Sequence, residues 1–513
     1  MRFFFTNVDN PIVMPQKSSL ILSLTYCLIL MNVPAMAQWN LMGEQFFGGA
    51  GDLIGFWERL DISGDGNRIA FGTPNNSDNF PFSGYAKVFE WTGGEWAQLG
   101  ESFYGVDPFQ DEGTGASVSL DGDGSTFALG ISYSPNSSGA RVGGVRIYDW
   151  DGSEWTQRGV EIEGEGHPDI PGATDVFGGS VNLSADGNTV IIGAEGNTFE
   201  PGILMLQGQV EVYDWDGQDW VQRGQDIMGL TGSEQFGRVV RISADGQRAA
   251  VASRSRWNAE FTSQVGAVTV FEWNSDANLW EDMGAPLMGA VNDASYGESI
   301  SLDGDGTTLA ITAKFGLTEV RDWNGVEWVL RGNLDQEEGL LEVSTVSLSA
   351  DGDIVGIGDP RYNWSDGRVR VLEWNGNDWE LIENIMVPEP DGSALQLFGL
   401  TLALSDNAGR VAVGSGFANR IEAFEREGFV GLDPQESTEV LVYPNPTSGI
   451  LNIQGFEGSA KVELCTSLGE VLYACENCTS PFNVDLSRFD RGVYILHVRA
   501  NVFESTQKIV VQH

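Results

Sequence analysis

FGGSVNLSADGNTVIIGA at 177–194 and GQVEVYDWDGQDWVQRGQDIMG at 208–229 are the stretches that decide the fold. They read as an apolar strand, an Asp-Gly turn, a second strand, a loop, and a strand ending in Trp before a Gly turn and a second Trp. The pattern occurs seven times along the chain, with the last copy incomplete. A unit of this length cannot bury its own apolar face, so the copies must stack on one another.

Three marker positions fix the register of the repeat. The first turn falls at Asp65, Asp123, Asp186, Asp245, Asp305, Asp351 and Asp406-Asn407. The first Trp falls at Trp91, Trp150, Trp215, Trp273, Trp323 and Trp374, with Phe424 in the seventh place. The second Trp falls at Trp96, Trp155, Trp220, Trp280, Trp328 and Trp379. We expect the two Trp residues of a copy to pair across their hairpin and to pack one copy against the next.

The strand missing from the seventh copy is found at the other end of the chain. QWNLMG at 38–43 matches EWAQLG at 95–100, the last strand of the first copy. The N-terminus can complete the seventh copy only if the first and last copies are neighbours. The sequence therefore predicts an all-β fold, a seven-bladed β-propeller closed by an N-terminal strand.

Both ends of the chain carry segments outside the repeats. Lys17 precedes an apolar run at 20–33, and Ala35-Met36-Ala37 is a typical cleavage site, which predicts a signal peptide at 1–37 cut between Ala37 and Gln38. The propeller is expected at 38–429 and a linker at 430–440. Residues 441–513 contain several short strands with Gly turns and are expected to form a small Ig-like β-sandwich.

The composition excludes some functions and leaves others open. Lys and Arg total 28 against 73 Asp and Glu, a net charge of −45, which argues against a basic face for nucleic acid or an anionic membrane. We expect an extracellular monomer. Beyond the signal peptide the cysteines are Cys465, Cys475 and Cys478, which favours one disulfide and one spare thiol with the pairing open.

The C-terminal segment carries an ordered set of motifs. YPNPTSG at 443–449, SLGEV at 467–471, GVYILHV at 492–498 and KIVVQ at 508–512 resemble the C-terminal sorting domain, type A, of the type IX secretion system. The resemblance implies translocation across the outer membrane by that machinery, followed by removal of the domain and release or surface attachment. The residues that carry it are Pro444, Asn445, Pro446, Gly449, Gly469, Gly492, Tyr494 and Lys508.

The repeats also resemble a known family. Phe177-Gly178, Phe236-Gly237 and Phe398-Gly399 open the first strand of their copies, as in the FG-GAP repeat of integrin-α-type propellers. Members of that family often bind Ca²⁺ through Asp-x-Asp-x-Asp-Gly loops, and no such loop occurs here. We expect no cofactor, with Ca²⁺ as the open alternative. The metal candidates, in turns too short for a full oxygen cage, are Asp121, Asp123, Asp303 and Asp305.

Topology indicates where a ligand would bind. The Asp-Gly and Trp-Gly turns must share one face of the ring, which leaves the long, varied connections on the other, and binding usually resides on varied loops. We call this opposite side the long-loop face; its connections are 73–84, 101–115, 160–176, 195–208, 254–265 and 381–397. The candidate ligand-binding aromatics are Phe82, Tyr104, Phe109, Tyr133, Trp257 and Trp364. The alternative is that these side chains cap the ends of the sheets.

These observations favour a secreted or cell-surface adhesion protein that binds an extracellular glycan or protein. The alternative is a polysaccharide hydrolase or lyase acting through paired carboxylates. The propeller has one histidine, His167, and no G-x-S-x-G motif, and the abundance of acidic residues prevents the choice of a pair. We therefore name no catalytic residue and expect no enzyme.

Overall fold

The computed structural model describes most of the repeat region and the strands of the C-terminal segment. The described residues are 39–49, 51–56, 59–105, 112–136, 139–166, 175–197, 206–260, 262–290, 295–314, 317–334, 345–386, 396–427, 441–443, 450–454, 459–466, 471–479, 482–487, 489, 491–500 and 503–511. The expected signal peptide with Ala37 and Gln38, the expected linker, His167, Phe109 and the sorting residues Pro444, Asn445, Pro446, Gly449 and Gly469 lie outside them.

Seven antiparallel sheets occupy the described part of 39–427. The first two strands of the described residues, β1 (Trp39–Leu41) and β2 (Phe46–Phe47), belong to sheet 7. Sheet 1 contains β3 (Leu60–Ile62), β4 (Arg68–Thr73), β5 (Tyr85–Trp91), β6 (Trp96–Gln98) and β7 (Phe103–Tyr104). Sheet 2 contains β8 (Thr114–Leu120), β9 (Thr126–Ile131), β10 (Gly144–Trp150), β11 (Trp155–Gln157) and β12 (Ile162–Glu163).

Sheets 3 to 5 repeat this order. Sheet 3 contains β13 (Phe177–Leu183), β14 (Thr189–Ala194), β15 (Gln209–Trp215), β16 (Trp220–Gln222) and β17 (Ile227–Met228). Sheet 4 contains β18 (Phe236–Ile242), β19 (Arg248–Ser253), β20 (Ala267–Asn274), β21 (Leu279–Asp282) and β22 (Leu287–Met288). Sheet 5 contains β23 (Ile300–Leu302), β24 (Thr308–Thr312), β25 (Thr318–Trp323) and β26 (Trp328–Leu330).

The last two sheets complete the array. Sheet 6 contains β27 (Thr345–Leu348), β28 (Ile354–Asp359), β29 (Arg368–Trp374) and β30 (Trp379–Met386), with the short helix α1 (Tyr362–Ser365) between β28 and β29. Sheet 7 contains β31 (Phe398–Leu404), β32 (Arg410–Ser415), β33 (Arg420–Arg426), β1 and β2, with a 3-10 turn at Gly416–Ala418.

The first strands of the seven sheets form a closed ring. β3 contacts β8, β8 contacts β13, and the series continues through β18, β23 and β27 to β31, which contacts β3 again. β1 pairs with β33 in sheet 7, with Trp39 opposite Arg426 and Leu41 opposite Phe424. The fold is therefore all-β and β-propeller-like, and the N-terminal strand belongs to its last sheet as the repeat register predicts.

The two Trp residues of each repeat have separate roles in packing neighbouring sheets. They face each other across their hairpin, as Trp215 and Trp220 do at 5.6 Å between ring centroids. The indole N–H of the second Trp donates to a carbonyl of the preceding sheet, for example Trp220 Nε1 to Arg158 O at 2.9 Å. The expectation that the Trp residues pack one sheet against the next is confirmed.

The first Trp of a repeat explains a break in the fourth strand of the preceding sheet, which the sequence pattern does not predict. In sheets 1 to 4 and in sheet 7 the fourth strand is two short segments, such as β11 and β12, separated by a bend. Gly159 lies in this bend with a φ of 75°, and a Cβ there would come within 2.9 Å of Trp215 in sheet 3. The bend thus makes room for the neighbouring indole.

The C-terminal segment forms two antiparallel sheets. β34 (Leu441–Tyr443), β35 (Ile450–Gln454) and β38 (Phe482–Asp485) form one, and β36 (Ser459–Thr466), β37 (Val471–Thr479), β39 (Gly492–Ala500) and β40 (Phe503–Val511) form the other. One buried cluster joins them, with Ile453 and Val484 from the first sheet and Val462 and Leu496 from the second. The two sheets therefore form a β-sandwich.

Three cysteines and three of the sorting residues lie within this sandwich. Cys475 and Cys478 form a disulfide, and Cys465 is a buried free thiol. Tyr494 is buried in the core in β39, and Gly492 begins that strand, while Lys508 lies in β40. Within the described ranges, no helix has the length and apolar character needed to cross a membrane.

Candidate functional site

A cavity of about 510 Å³ lies at the centre of the ring. Its wall is built by the first strand of every sheet, with Leu60 from β3, Val118 from β8 and Val239 from β18 among the lining residues. Phe82 and Tyr133 also line it; they follow β4 and β9 and are 54% and 36% exposed. Because these two side chains lie on the long-loop face, the cavity opens there.

The Asp-Gly turns lie at the other end of the first strands from the cavity mouth. Each turn is linked to the turn of the next sheet by a backbone hydrogen bond. For example, Ala185, the residue before the turn residue Asp186, donates its N–H to Ala244 O in sheet 4 at 3.0 Å. The series ends with Asp406 N–H donating to Gly64 O at 2.8 Å, so it closes on itself. The other links run from Asp65 to Gly122, Gly122 to Ala185, Ala244 to Gly304, Gly304 to Ala350 and Ala350 to Asp406. The turns thus hold the ring together at this end.

The cavity wall is stabilised through one position in the first strand of the repeats. In five of the seven repeats the side chain there accepts a backbone N–H from the next sheet, as Asn182 Oδ1 does from Ile242 at 2.8 Å and Ser301 Oγ from Leu348 at 2.9 Å, whereas Arg241 and Ala403 carry no acceptor. These contacts satisfy N–H groups on the edge strands that face the cavity. The residues at this position are Asp61, Ser119, Asn182, Arg241, Ser301, Ser347 and Ala403.

Asp61 is the acidic member of this set, and its neighbours explain its chemistry. Oδ2 accepts the N–H of Leu120 at 2.8 Å, and Oδ1 accepts the N–H of Ile62 at 2.9 Å. The N–H of Ile62 faces sheet 7, where Ala403 holds the position that accepts this N–H in other repeats but has no acceptor. Asp61 accepts it instead. Burial raises the pKa of Asp61 to about 6, opposed by the two N–H groups and by the positive charge of Arg241.

Arginines from two sheets face the cavity. Arg59 precedes β3 in sheet 1, and Arg238 and Arg241 lie on β18 in sheet 4. Burial, together with the positive charge of Arg238, lowers the pKa of Arg59 to about 10. The positive charge of Arg241 likewise lowers the pKa of Asp61, here by stabilising the ionised carboxylate. Sheets 1 and 4 are not neighbours in the ring, so these charges interact across the cavity.

The remaining cavity carboxylates are ion-paired. Glu195 Oε1 lies 2.8 Å from Arg238 Nη1. Glu298 Oε2 lies 2.9 Å from Arg254 Nε, and the Glu298 side chain is 6% exposed. Together with Asp61, which is bound to two backbone N–H groups, these are the carboxylates that line the cavity in the described part of the chain. Each therefore has a partner that accounts for its position.

The candidate aromatics divide between the cavity and other sites. Phe82 and Tyr133 line the mouth, and the Arg141 guanidinium lies 5.4 Å from the Tyr133 ring centroid. Tyr104 lies in β7 against Tyr85, at 5.8 Å between ring centroids. Trp257 is half-buried and bridges to Gln264 within its own loop. Trp364 lies in α1, its side chain being outside the described atoms, and Phe109 is outside the described residues.

The candidate metal ligands lie in the hairpin turns of sheets 2 and 5. Asp121 Oδ1 accepts the N–H of Thr126 at 2.9 Å, and Asp303 Oδ1 accepts that of Thr308 at 2.9 Å. In the other five sheets a serine makes this bond, as Ser184 does with Thr189 at 3.0 Å. Burial, with Asp123 and Asp305 as nearby negative charges, raises the pKa of Asp121 and of Asp303 to about 6. Across the described ranges, no three acidic, His or Cys side chains are grouped to hold a metal ion.

Comparisons with known proteins separate the two parts of the chain. Residues 441–512 match the family model described as the secretion system C-terminal sorting domain. This match marks the protein as exported by the type IX system to the cell surface or the extracellular space. The comparison with curated proteins gives no match. Among solved structures, the chain is similar to the Cps50 (Swd1) β-propeller domain of Myceliophteria thermophila, at 12% identity over 76% of this chain and 99% of that chain, with a TM-score of 0.47.

Proposed function

We propose that this exported protein is a binding protein that recognises an extracellular glycan or protein through its long-loop face. In this proposal the seven sheets are the blades of a seven-bladed propeller of FG-GAP type, spanning 38–429. The signal peptide (1–37), a linker (430–440) and an Ig-like sandwich that serves the export machinery (441–513) complete the chain. The mature protein acts as a monomer without a required cofactor.

The observation that carries the proposal is the cavity mouth. Phe82 and Tyr133 place two aromatic rings, 54% and 36% exposed, at the rim of a cavity of about 510 Å³. Ligand sites are typically concave, with volumes of about 300–1,000 Å³, and combine apolar surface with a few placed polar groups. Aromatic rings at such a rim supply contact area at a low entropic cost.

The cavity chemistry favours binding over hydrolysis. A glycosidase needs one carboxyl group to protonate the leaving group and another to activate water or attack the sugar. Asp61 accepts two backbone N–H groups, and Glu195 and Glu298 are ion-paired with arginines. These contacts support a role for the carboxylates in structure and charge balance.

The test is a screen of the secreted protein on glycan and extracellular-protein arrays, with a Phe82→Ala/Tyr133→Ala double variant. We expect the double variant to lose binding at least tenfold while unfolding at an unchanged temperature. The control is Val326→Ala, which removes an apolar side chain, 79% exposed, from a Trp-Gly turn on the other face. Equal binding by the double variant and the wild type would contradict the proposal.

A further inference from the structure

We propose that the long-loop face carries a second binding site, which takes a small polyhydroxylated acid of the uronic acid class through its carboxylate. The site is a pocket of about 460 Å³ between sheets 4 and 5, and ligand sites typically measure about 300–1,000 Å³. We call it the polar pocket; its lining residues are Gln235, Arg254, Ser255, Gln264, Ser295 and Lys314. It shares no lining residue with the cavity at the centre of the ring, so either site can bind without the other.

The elements around the polar pocket place it on the long-loop face. The strands β18 and β23 run from that face toward the Asp-Gly turns, and β19 and β24 return to it. Gln235 immediately precedes β18 and Ser295 lies ahead of β23. Arg254 and Ser255 follow β19, and Lys314 follows β24. The pocket therefore joins corresponding loops of two neighbouring sheets.

The polar pocket has an excess of one positive charge. Two of its lining residues, Arg254 and Lys314, are cations, and none of the six is a carboxylate. Arg254 Nε lies 2.9 Å from Oε2 of Glu298, which lines the central cavity, so the charge of Arg254 is compensated. Lys314 is half-buried and has no ion pair or hydrogen bond to any described residue. One carboxylate beside Lys314 balances the site.

The neutral side chains of the polar pocket offer hydrogen bonds to a ligand. Ser255 Oγ donates to Gln235 Oε1 at 3.1 Å, which leaves the amide N–H groups of Gln235 without a partner in the described structure. Ser295 is 7% exposed, and its hydroxyl is likewise unbonded within the described ranges. Burying a hydroxyl without a hydrogen bond costs free energy, which a bound ligand offsets. Amides and hydroxyls both donate and accept, which suits a ligand with hydroxyls beside its carboxylate.

Comparison of the repeats shows that the fold does not require these polar side chains. Gln235 and Ser295 occupy the same position, two residues before the glycine that follows the first-strand aromatic, with φ values of 55° and 45°. The same position has a positive φ in four other sheets, where the residues are Leu53, Gly113, Val176 and Leu397. Apolar residues and glycine therefore serve the backbone equally well. The two polar exceptions line the same pocket, which favours a role in binding.

The charge of the whole molecule restricts the class of ligand. A net charge of −45 repels anions from the outer surface, so a bound anion must be held by local groups. At an ionic strength of about 0.15 M, screening limits the reach of surface charges to about 8 Å, whereas Lys314 lines the pocket itself. A carboxylate accepts charge-assisted hydrogen bonds from such an ammonium group. A phosphate monoester, with a charge of about −1.5 to −2, would leave the site negative.

The experiment is calorimetric titration of the full secreted protein with glucuronate and galacturonate, each compared with its neutral sugar, glucose or galactose, and with inorganic sulfate. Each acid differs from its neutral sugar by a carboxylate in place of a hydroxymethyl group. We expect one of the acids to bind at least about tenfold more tightly than its neutral sugar and than sulfate, which has charge but no ring hydroxyls.

Three variants test the lining residues. Lys314→Gln should abolish the preference for the acid, and Lys314→Arg should retain part of it. Gln235→Leu should weaken binding about tenfold without loss of structure, because leucine holds this position in sheets 1 and 7. The matched control is Lys87→Gln, which removes the other lysine of residues 38–429 from sheet 1 and should bind as the wild type does.

The proposal is overturned by equal affinity for each acid and its neutral sugar, by no binding of either acid, or by full binding to Lys314→Gln. Sulfate binding as tight as that of the acids would mean an adventitious ion only. Unchanged thermal unfolding of the variants shows that lost binding is not lost structure. The Phe82→Ala/Tyr133→Ala variant should bind the acid as the wild type does; a loss there would place the acid at the cavity mouth and contradict the polar pocket.

Discussion

At the scale of single residues, the tryptophans act as connectors between sheets. Six of them donate an indole N–H to the preceding sheet, at 2.8–3.1 Å. Trp39 occupies the equivalent place in sheet 7, where its Nε1 is buried with no hydrogen-bond partner among the described groups. Sheet 6, which precedes it, has the continuous strand β30 where most sheets have a bend at this place. The seam between sheets 6 and 7 therefore lacks a bond that the other seams have.

This difference gives a matched pair of substitutions. Trp220→Phe removes an indole whose N–H is bonded to Arg158 O, whereas Trp39→Phe removes an equivalent indole with no such bond. Because a lost partner leaves a buried carbonyl unsatisfied, we expect Trp220→Phe to cost about 1–2 kcal/mol more unfolding free energy than Trp39→Phe. Urea titrations monitored by circular dichroism measure the two values. Equal losses would show that the hydrogen bond contributes nothing.

The acidic exceptions among the turn serines give a prediction about pH. The folded protein raises the pKa of Asp121 from 3.8 to about 6, so its negative charge costs stability above that pH and not below the unfolded value. Asp121→Ser introduces the residue used in five other sheets. We expect it to stabilise the protein by about 1 kcal/mol at pH 7, since water partly offsets the shift, and to lose this gain as the pH falls from 6 to 4.

The control for this prediction reverses the change. Ser184→Asp creates the same pair of carboxylates in sheet 3 and should destabilise the protein at pH 7 but much less at pH 4. Thermal unfolding temperatures across this pH range measure both variants. A pH-independent effect of Asp121→Ser would mean that the charge of Asp121 is already compensated in the folded protein.

At the scale of elements, the N-terminal strand determines whether the ring is closed. β1 and β2 pair with β33, and Met42 and Phe46 pack into the cluster shared by sheets 7 and 1. Sheet 7 is thus built from the two ends of the repeat region, and the ring cannot close until both are present.

Removal of this strand should open the ring. We expect a chain that lacks residues 38–47 to lose roughly 5 kcal/mol of unfolding free energy, from exposure of Trp39, Met42 and Phe46. A synthetic peptide of residues 38–47, added in excess, should restore the unfolding temperature, whereas the same peptide with Trp39→Asn should restore less. An unchanged midpoint in the shortened chain would show that β1 is dispensable.

The sequence could predict elements that follow one rule in every copy. The Asp-Gly turns, the Trp pairs and the strand at Trp39 recur at fixed spacing, so a single chain reveals them. The bend at Gly159 is hidden because its cause, the indole of Trp215, belongs to the next sheet. The cavity charges are hidden for a similar reason. The sequence indicates them only through Asp61 and Arg241, which occupy a position that Ser, Asn or Ala fills in the other copies. That these two residues, from sheets 1 and 4, interact across the ring can be seen only in the folded structure.

At the scale of the whole molecule, the repeated scaffold elements and the proposed binding residues lie at different ends of the ring. The turns and Trp pairs form a scaffold closed by backbone hydrogen bonds at one end of the ring. The varied loops bring Phe82 and Tyr133 to the other end, above the arginines of sheets 1 and 4. The sorting domain takes the protein to the cell surface or beyond, which is where the proposed binding face would meet an extracellular ligand.

The most direct test of the central claim is hydrogen–deuterium exchange of the secreted protein with and without the glycan or protein that binds most tightly on the arrays. If the long-loop face is the binding site, protection will increase in the segments around Phe82 and Tyr133 and at the start of β18 near Arg238. The Asp-Gly and Trp-Gly turns will exchange at unchanged rates. Protection confined to those turns, or to residues 441–513, would contradict the account.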